Sequence, residues 1–305
     1  MTFAIDSFTT ADGITLRYGV QNPEHAKRFV LILQGRGEFI ERYLETADDL
    51  AERGFGCVTF DFRGHGGSSR ETDDLVMGYV RDLAHYTADT QSVIDHVKTQ
   101  HGISCDLLLT HSTGGLVGMG MMLDHPELWR SAVMIAPFFG LGGPEWLSLA
   151  AQFLSGSLCR YGFDKQYLPG QSALTPLADF DPENILTSDP DRYARNLTVL
   201  KQAPELVVGG VSAGWLDACF KAQAATASRL EQLKSGLWPL PPISVVLAGN
   251  DQVVSNKMTE EILGQISAVS IKEIPESRHE ILQERDLYRD QFWAAFDAHV
   301  ARHHS

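Results

Sequence analysis

Ser112, Asp251 and His279 are the residues whose types and order could carry out nucleophilic catalysis. Ser112 follows the apolar run at 107–109 and precedes Thr-Gly-Gly and a helical pattern, which predicts a sharp turn between a strand and a helix. Asp251 and His279 each follow a later strand-like run, and loops after parallel strands meet at one edge of a sheet. The pattern predicts that Asp251 holds the tautomer of His279. His279 then takes the proton of Ser112, which attacks an acyl carbon.

Each of these residues also has an ordinary structural alternative. Serine and glycine are common in turns, Asp251 could be a turn residue, and His279 could cap a helix. Thr110 stands two residues before the serine, where glycine is usual, although threonine is still short. The correct order of all three residues favours a catalytic triad.

The backbone amides of Arg36 and Thr113 are the candidates for an oxyanion hole. Thr113 follows the serine at the start of the predicted helix, where partial positive charge gathers. Arg36 lies in the loop after the first buried run, and Gly35 lets the chain pass closely there. We expect the Arg36 side chain to pair with Glu38 or Glu41, with contact to a substrate phosphate as the alternative.

Four further residues are candidates for contact with the substrate: Gln34, His111, Phe138 and Trp146. Gln34 and Phe138 follow buried runs, and Trp146 begins an apolar segment at 146–154. His111 adjoins the serine, but a tight turn would point its side chain elsewhere. We expect Asp61 and Arg63 to form a structural ion pair or turn, and His65 to be a hydrogen-bonded structural residue.

Short apolar runs alternate with helical patterns over most of the chain, after an expected hairpin at 5–20. This alternation predicts a mostly parallel sheet with helices on both faces, including helices at 40–53, 79–100, 257–266 and 287–299. The alternation stops from 141 to 242, which we predict to be a cap between core segments 1–140 and 243–305. Within the cap, segment 146–154 could form the wall of an acyl pocket or pack as an ordinary helix.

Composition narrows the function classes. The chain has 305 residues, 44% of them hydrophobic, and a net charge of −14, which argues against nucleic acids and anionic membranes. Its four cysteines have no paired or metal-ligand spacing, so we expect free thiols and no metal. No secretory signal or long apolar run is apparent, so we expect a cytoplasmic protein.

Several segments together resemble the serine α/β-hydrolases, specifically the branch of bacterial lysophospholipases and monoacylglycerol-lipase-like enzymes. They include Gln-Gly-Arg-Gly-Glu at 34–38, His-Ser-Thr-Gly-Gly at 111–115, Gly-Asn-Asp at 249–251 and Arg-His-Glu at 278–280. Further matching segments are 61–68, 192–197 and 208–215. The resemblance implies an α/β-hydrolase fold, a cap over the site, a Ser–Asp–His triad and a glycerol ester as substrate. Gln34 and Thr110 depart from the family pattern.

The expected function is therefore hydrolysis of carboxylic esters of single-chain glycerolipids, lysophospholipids or monoacylglycerols, through an acyl-enzyme on Ser112. The alternatives are a peptidase or amidase of the same fold and a non-catalytic binding protein. No cofactor and no nucleic-acid partner is expected. Peripheral contact with a membrane surface and the oligomeric state are left open.

Overall fold

An eight-stranded sheet runs through the residues that the computed structural model describes, which are 2–24, 26–173, 177–233 and 240–304. The strands occur in the spatial order β1-β2-β4-β3-β5-β6-β7-β8. Pairing is antiparallel from β1 to β4 and parallel from there to β8, so the predicted mostly parallel sheet and N-terminal hairpin are confirmed. The strands are β1 (Ala4–Thr9), β2 (Thr15–Gln21), β3 (Arg28–Leu33), β4 (Phe55–Phe60), β5 (Cys105–His111), β6 (Ser131–Ile135), β7 (Ile243–Ala248) and β8 (Val269–Ile274).

The central strands form the core of the protein. Every residue of β4, β6 and β7 is buried, without alternation of polar and apolar positions. A parallel strand covered on both faces has this composition because neither side meets water. The edge strand β1 is exposed over most of its length instead.

Eight α-helices connect the strands in the described residues. Helix α2 packs against α3. Arg53, which directly follows α1, contacts Asp297 and Trp293 of α8 and so links α1 to α8. The helices are α1 (Leu44–Glu52), α2 (Ala84–His101), α3 (Thr113–Asp124), α4 (Glu145–Arg160), α5 (Pro190–Gln202), α6 (Ala213–Leu233), α7 (Asn256–Leu263) and α8 (Asp286–His303).

Helix α2 begins five residues later than its predicted start at Tyr79. Gly78 forms an isolated bridge with Val211, and the Tyr79 hydroxyl donates to Asp164, so these residues contact the segment between β6 and β7. The Asp82 side chain then accepts the backbone N–H of the first helical residue, at 2.9 Å. These long-range contacts prevent the helix from extending over 79–83.

The segment between β6 and β7 contains α4, α5 and α6, and α4 packs against α6. Trp146, Leu149 and Phe153 of α4 point outward and are 68%, 59% and 77% exposed; we call these three side chains the apolar face of α4. None of the helices in the described ranges is long and apolar enough to cross a bilayer.

Candidate active site

Ser112 lies on the predicted sharp turn between β5 and α3. Its φ of 52° and ψ of −117° place it in a region that non-glycine residues rarely occupy. The turn is fixed by backbone hydrogen bonds: Ser112 N–H donates to the Ile135 carbonyl at 3.0 Å, and Phe138 N–H donates to the Ser112 carbonyl at 3.0 Å. The end of β6 therefore holds the serine in a strained backbone geometry at the edge of the sheet.

Thr110 fits beside this turn because glycines in α3 make room for it. A Cβ atom at Gly118 would lie 2.8 Å from the Thr110 Cγ2 atom, and one at Gly115 would lie 2.5 Å from the Cβ of Pro137. The threonine methyl thus occupies space that a larger helix residue would need. This packing explains how the chain tolerates a threonine where glycine is usual.

Asp251 and His279 meet at the ends of β7 and β8. The Nδ1–H of His279 donates to Asp251 Oδ2 at 2.8 Å, which leaves Nε2 free to accept a proton. The other oxygen of Asp251 accepts the backbone N–H groups of Val253 and Val254 at 2.8 and 2.9 Å. Burial acts to raise the pKa of Asp251, but the bonds from His279 and the two amides outweigh it and lower the pKa. The carboxylate is therefore ionised and oriented.

Ser112 and His279 line the same cavity, which has a volume of about 730 Å³. Its walls are mostly apolar side chains from the strand ends and from the segment between β6 and β7, including Phe138, Leu147, Ala151, Leu154, Trp215 and Leu216. Phe138 also stacks on Trp215, with ring centroids 5.9 Å apart. A serine, a histidine–aspartate pair and an apolar chamber together can take up an acyl group and transfer it.

The backbone amides of Arg36 and Thr113 belong to two segments that touch. A Cβ at Gly114 would lie 2.1 Å from the Leu33 carbonyl oxygen, so helix α3 starts in direct contact with the end of β3. Arg36 and Thr113 both line the cavity beside Ser112. Neither N–H donates a hydrogen bond to another group of the described residues, so both remain available to an oxyanion.

The Arg36 side chain does not pair with Glu38 or Glu41, contrary to expectation. Its Nη2 donates to the carbonyl oxygens of Gly209 and Gly210, at 2.7 and 2.5 Å, in the segment between β6 and β7. The guanidinium also lies over the Trp215 ring, 5.1 Å from its centroid. Glu41 binds Arg17 instead.

Two of the predicted substrate contacts lie outside the cavity. The Gln34 side chain is 1% exposed and donates to Thr59 Oγ1 at 3.1 Å, so it points into the sheet. Trp146 belongs to the apolar face of α4 and points away from the chamber. Phe138 lies in the cavity wall, and from α4 the chamber receives Leu147, the residue after Trp146.

His111 lies in the cavity wall, but both of its ring nitrogens are hydrogen-bonded to other protein groups. Its Nδ1 contacts Glu38 Oε1 at 2.9 Å and its Nε2 contacts the His279 carbonyl at 3.2 Å. Because a carboxylate and a carbonyl can only accept, both ring nitrogens donate and the imidazole is protonated. Burial opposes this charge, but Glu38 outweighs burial and raises the pKa of His111. The cationic ring stands 4.8 Å from the ring of His279.

A buried cluster of charged residues surrounds this histidine, and sequence reasoning missed it. Burial acts to raise the pKa of Glu38, but His111, Arg42 and Tyr43 together hold it below its usual range. Arg42 forms ion pairs with Glu38, at 3.5 Å, and with Glu280. The available signal was the position of Glu38 and Glu280 just after two strands that end at the site edge.

The glycine-rich loop after β4 is structural, although its ion pairing differs from expectation. Asp61 pairs with Arg17 at 2.9 Å rather than with Arg63, and Arg63 binds Asp89 through two hydrogen bonds of 2.7 and 2.6 Å. His65 is buried as expected and donates to the Arg63 carbonyl at 3.2 Å. Burial lowers the pKa of His65 to about 3, so it is neutral.

Comparison with known proteins gives the same picture of the fold. A model of the hydrolase family described as "Serine aminopeptidase, S33" matches residues 24–286. Lysophospholipase L2 of Escherichia coli (strain K12) is 28% identical over 308 aligned positions, covering 98% of this chain and 87% of the relative. Monoacylglycerol lipase of Mycolicibacterium smegmatis is 23% identical and covers 91% and 90%.

A solved structure also resembles the whole chain. A monoglyceride lipase from Saccharomyces cerevisiae, crystallised with a substrate analog, superposes with a TM-score of 0.77 at 18% identity, covering 99% of this chain and 96% of the other. At this identity the likeness concerns the fold. The predicted α/β-hydrolase fold is confirmed.

Proposed function

The chain belongs to the hydrolase family described as serine aminopeptidase S33, and we propose that it cleaves carboxylic esters of single-chain glycerolipids through an acyl-enzyme on Ser112. The observation that carries this proposal is the apolar chamber of about 730 Å³ that contains Ser112 beside the His279–Asp251 pair. Relatives named lysophospholipase and monoacylglycerol lipase support the choice of substrate class.

The proposed reaction follows from the geometry. His279 Nε2 takes the hydroxyl proton of Ser112 as the oxygen attacks the ester carbonyl, and Asp251 stabilises the imidazolium that forms. The amides of Arg36 and Thr113 bind the oxyanion, where one donor is typically worth 10²–10³ in kcat. His279 then gives the proton to the glycerol oxygen, which leaves. A water molecule repeats the sequence on the acyl-enzyme and releases the fatty acid.

We assign the acyl chain to the apolar part of the chamber and residues 141–242 to a cap over it. Leu147, Ala151 and Leu154 of α4 face inward there, and each methylene that they bury contributes up to ~0.8 kcal/mol. One chain fits this arrangement better than two, because a second would need a wide groove beside the serine. Single-chain esters should therefore be preferred.

The family description favours one second candidate, an aminopeptidase. Such an enzyme needs a carboxylate for the free amino group of its substrate. Among the described residues, the carboxylates that line the chamber are Glu38 and Glu280, and both are already bound by Arg42. The described cap residues in the chamber wall are apolar or amide side chains. The chamber therefore suits an acyl chain better than an amino terminus.

The test is kcat/KM for a monoacylglycerol and a lysophospholipid against their diacyl counterparts and against an aminoacyl amide, in matched detergent. We expect the monoacyl esters to be preferred. Ser112→Ala should lose on the order of 10⁶ in kcat and all labelling by a fluorophosphonate probe. Equal rates for one and two chains would remove the single-chain assignment, and a fully active Ser112→Ala would remove the serine mechanism.

We further propose that the apolar face of α4 contacts the surface of a lipid aggregate while the adjacent face of the helix, with Leu147, Ala151 and Leu154, lines the chamber. The three exposed side chains lie on the helix that forms the chamber wall, and the net charge of −14 favours a zwitterionic surface over an anionic one. Replacing Trp146 and Phe153 by serine should weaken co-sedimentation with phosphatidylcholine vesicles; unchanged binding would refute this.

The cytoplasmic location stays a prediction, to be checked by cell fractionation.

A further inference from the structure

A second cavity of about 260 Å³ adjoins the acyl chamber. Arg36, Glu38, Gln171, Leu186 and Glu280 line both cavities, so they form a shared wall. Beyond this wall the smaller cavity has a mixed lining, with the polar side chains of Arg42, Tyr193 and Asn196 and the aliphatic side chains of Leu197, Leu200 and Val208. A lipid with its chain in the large cavity would place its headgroup in the small one.

The charges in and directly beside this shared wall are balanced, with one exception. Glu38 and Glu280 carry two negative charges, and the protonated His111 and Arg42 carry two positive charges in the same hydrogen-bonded cluster. These four residues therefore neutralise one another. Arg36 lies outside the cluster and forms no ion pair with a carboxylate of the described residues.

The guanidinium of Arg36 has donors left over. Only Nη2 makes hydrogen bonds, both to backbone carbonyls; Nε is buried without a partner, and Nη1 bonds to no group in the described ranges. Burial lowers the pKa of Arg36 to about 10, so it stays protonated at neutral pH. Burial of a cation without a counterion costs folding free energy, and an anion that binds beside the cation offsets this cost.

We propose that Arg36 binds the phosphate of a lysophospholipid headgroup in the smaller cavity and so selects phospholipid over neutral monoacylglycerol substrates. The inference rests on the proposed ester hydrolysis and adds the identity of the headgroup. The backbone N–H of the same residue is the proposed donor to the scissile carbonyl, and in a lysophospholipid the phosphate is only a glycerol unit away from that carbonyl. Arginine suits phosphate because its planar donors match two phosphate oxygens.

A selectivity ratio tests the assignment. We would measure kcat/KM for a lysophosphatidylcholine and for the monoacylglycerol of the same chain, and divide the first by the second. Arg36→Gln should lower this ratio about 10- to 100-fold, the value of a hydrogen bond to a charged group. Arg36→Lys keeps the charge but not the planar donors, so its ratio should fall less.

Arg70→Gln is the matched control. Arg70 also donates to backbone carbonyls of the segment between β6 and β7, those of Glu205 and Val207 at 2.9 and 3.4 Å, but it lines neither cavity. Its loss should leave the ratio unchanged. If Arg36→Gln lowers both activities equally, Arg36 only holds the cap and the oxyanion loop together, and the proposal is wrong.

A second measurement separates this proposal from the proposed function. Hydrolysis of a short p-nitrophenyl ester is followed with glycerophosphocholine, glycerol or inorganic phosphate added. Glycerophosphocholine should inhibit competitively and glycerol should not, and Arg36→Gln should abolish the difference even if neither lipid proves to be a substrate. Equal inhibition by glycerol, or inhibition by inorganic phosphate as strong as that by glycerophosphocholine, would overturn the headgroup assignment.

Discussion

Adding a single methyl group at Gly114 should disable catalysis although none of the proposed catalytic side chains is replaced. The new Cβ would lie 2.1 Å from the Leu33 carbonyl oxygen and 2.7 Å from that of Gln34. Nonbonded atoms need roughly 3.5 Å, so the start of α3 and the loop after β3 must separate by on the order of 1 Å. That loop carries the Arg36 amide, and the start of α3 carries the Thr113 amide. The methyl group should therefore move the two proposed oxyanion donors apart.

The expected loss is a factor of about 10² to 10³ in kcat, because a misplacement of about 1 Å, or the loss of one oxyanion donor, has that effect. Gly120→Ala is the control, since it adds the same methyl group to the same helix where the nearest side-chain atom, of Thr87, is 3.1 Å away. It should keep full activity, because only the Thr87 methyl group of the neighbouring helix α2 has to shift by a few tenths of an ångström.

The assay is kcat and KM on a soluble p-nitrophenyl ester, together with Tm by circular dichroism for both variants. A Gly114→Ala protein that melts cooperatively but turns over slowly agrees with the reasoning. If that variant keeps kcat within about threefold of wild type with an unchanged Tm, the close contact of α3 with β3 does not position the oxyanion donors.

Two further predictions concern the buried charges. Asp251→Asn should cut kcat by about 10⁴ by mispairing the His279 tautomer, with Tm near that of the wild type; a nearly silent change would point to another acid. Glu38→Gln should lower the free energy of unfolding by about 3 kcal/mol, because it leaves His111 and Arg42 short of a partner. The pKa of Glu38 is lowered from 4.5 and that of His111 is raised from 6.5, so their stabilisation is complete between these pH values. It is lost as pH falls through the lowered pKa or rises through the raised one. Urea titrations at several pH values should show that the difference in unfolding free energy between wild type and Glu38→Gln decreases both below and above this pH range. A difference that stays constant with pH would contradict the reasoning.

The positions of the site residues along the strands could be predicted from the sequence. Ser112, Asp251 and His279 follow apolar runs, and parallel strands bring such positions to one edge whatever the details of packing. The direction of individual side chains could not be predicted. Gln34 points into the sheet toward Thr59 and Trp146 points outward, although both follow strands that end at the edge where the site lies.

Long-range partners were equally inaccessible. Arg36 was expected to find a carboxylate two or five residues away, but it bonds to carbonyls more than 170 residues later in the chain. Asp61 likewise pairs with Arg17, which lies on the neighbouring strand β2. Spacing in the sequence can identify partners that are close along the chain, whereas these contacts depend on which loops the tertiary fold brings together.

The connection between β6 and β7 has a consequence for how such enzymes diversify. These strands are adjacent and parallel, so the topology demands a crossover there in any case and tolerates a long one at little entropic expense. The core holds this crossover partly through backbone carbonyls, those of Gly209, Gly210, Glu205 and Val207, which every amino acid possesses. Residues 141–242 can therefore change sequence while these backbone contacts are kept. Under the proposed assignment of the acyl chain, the preferred chain length should change with that sequence. A chimaera that exchanges this crossover between relatives should inherit its acyl preference from the donor and its reaction chemistry from the recipient.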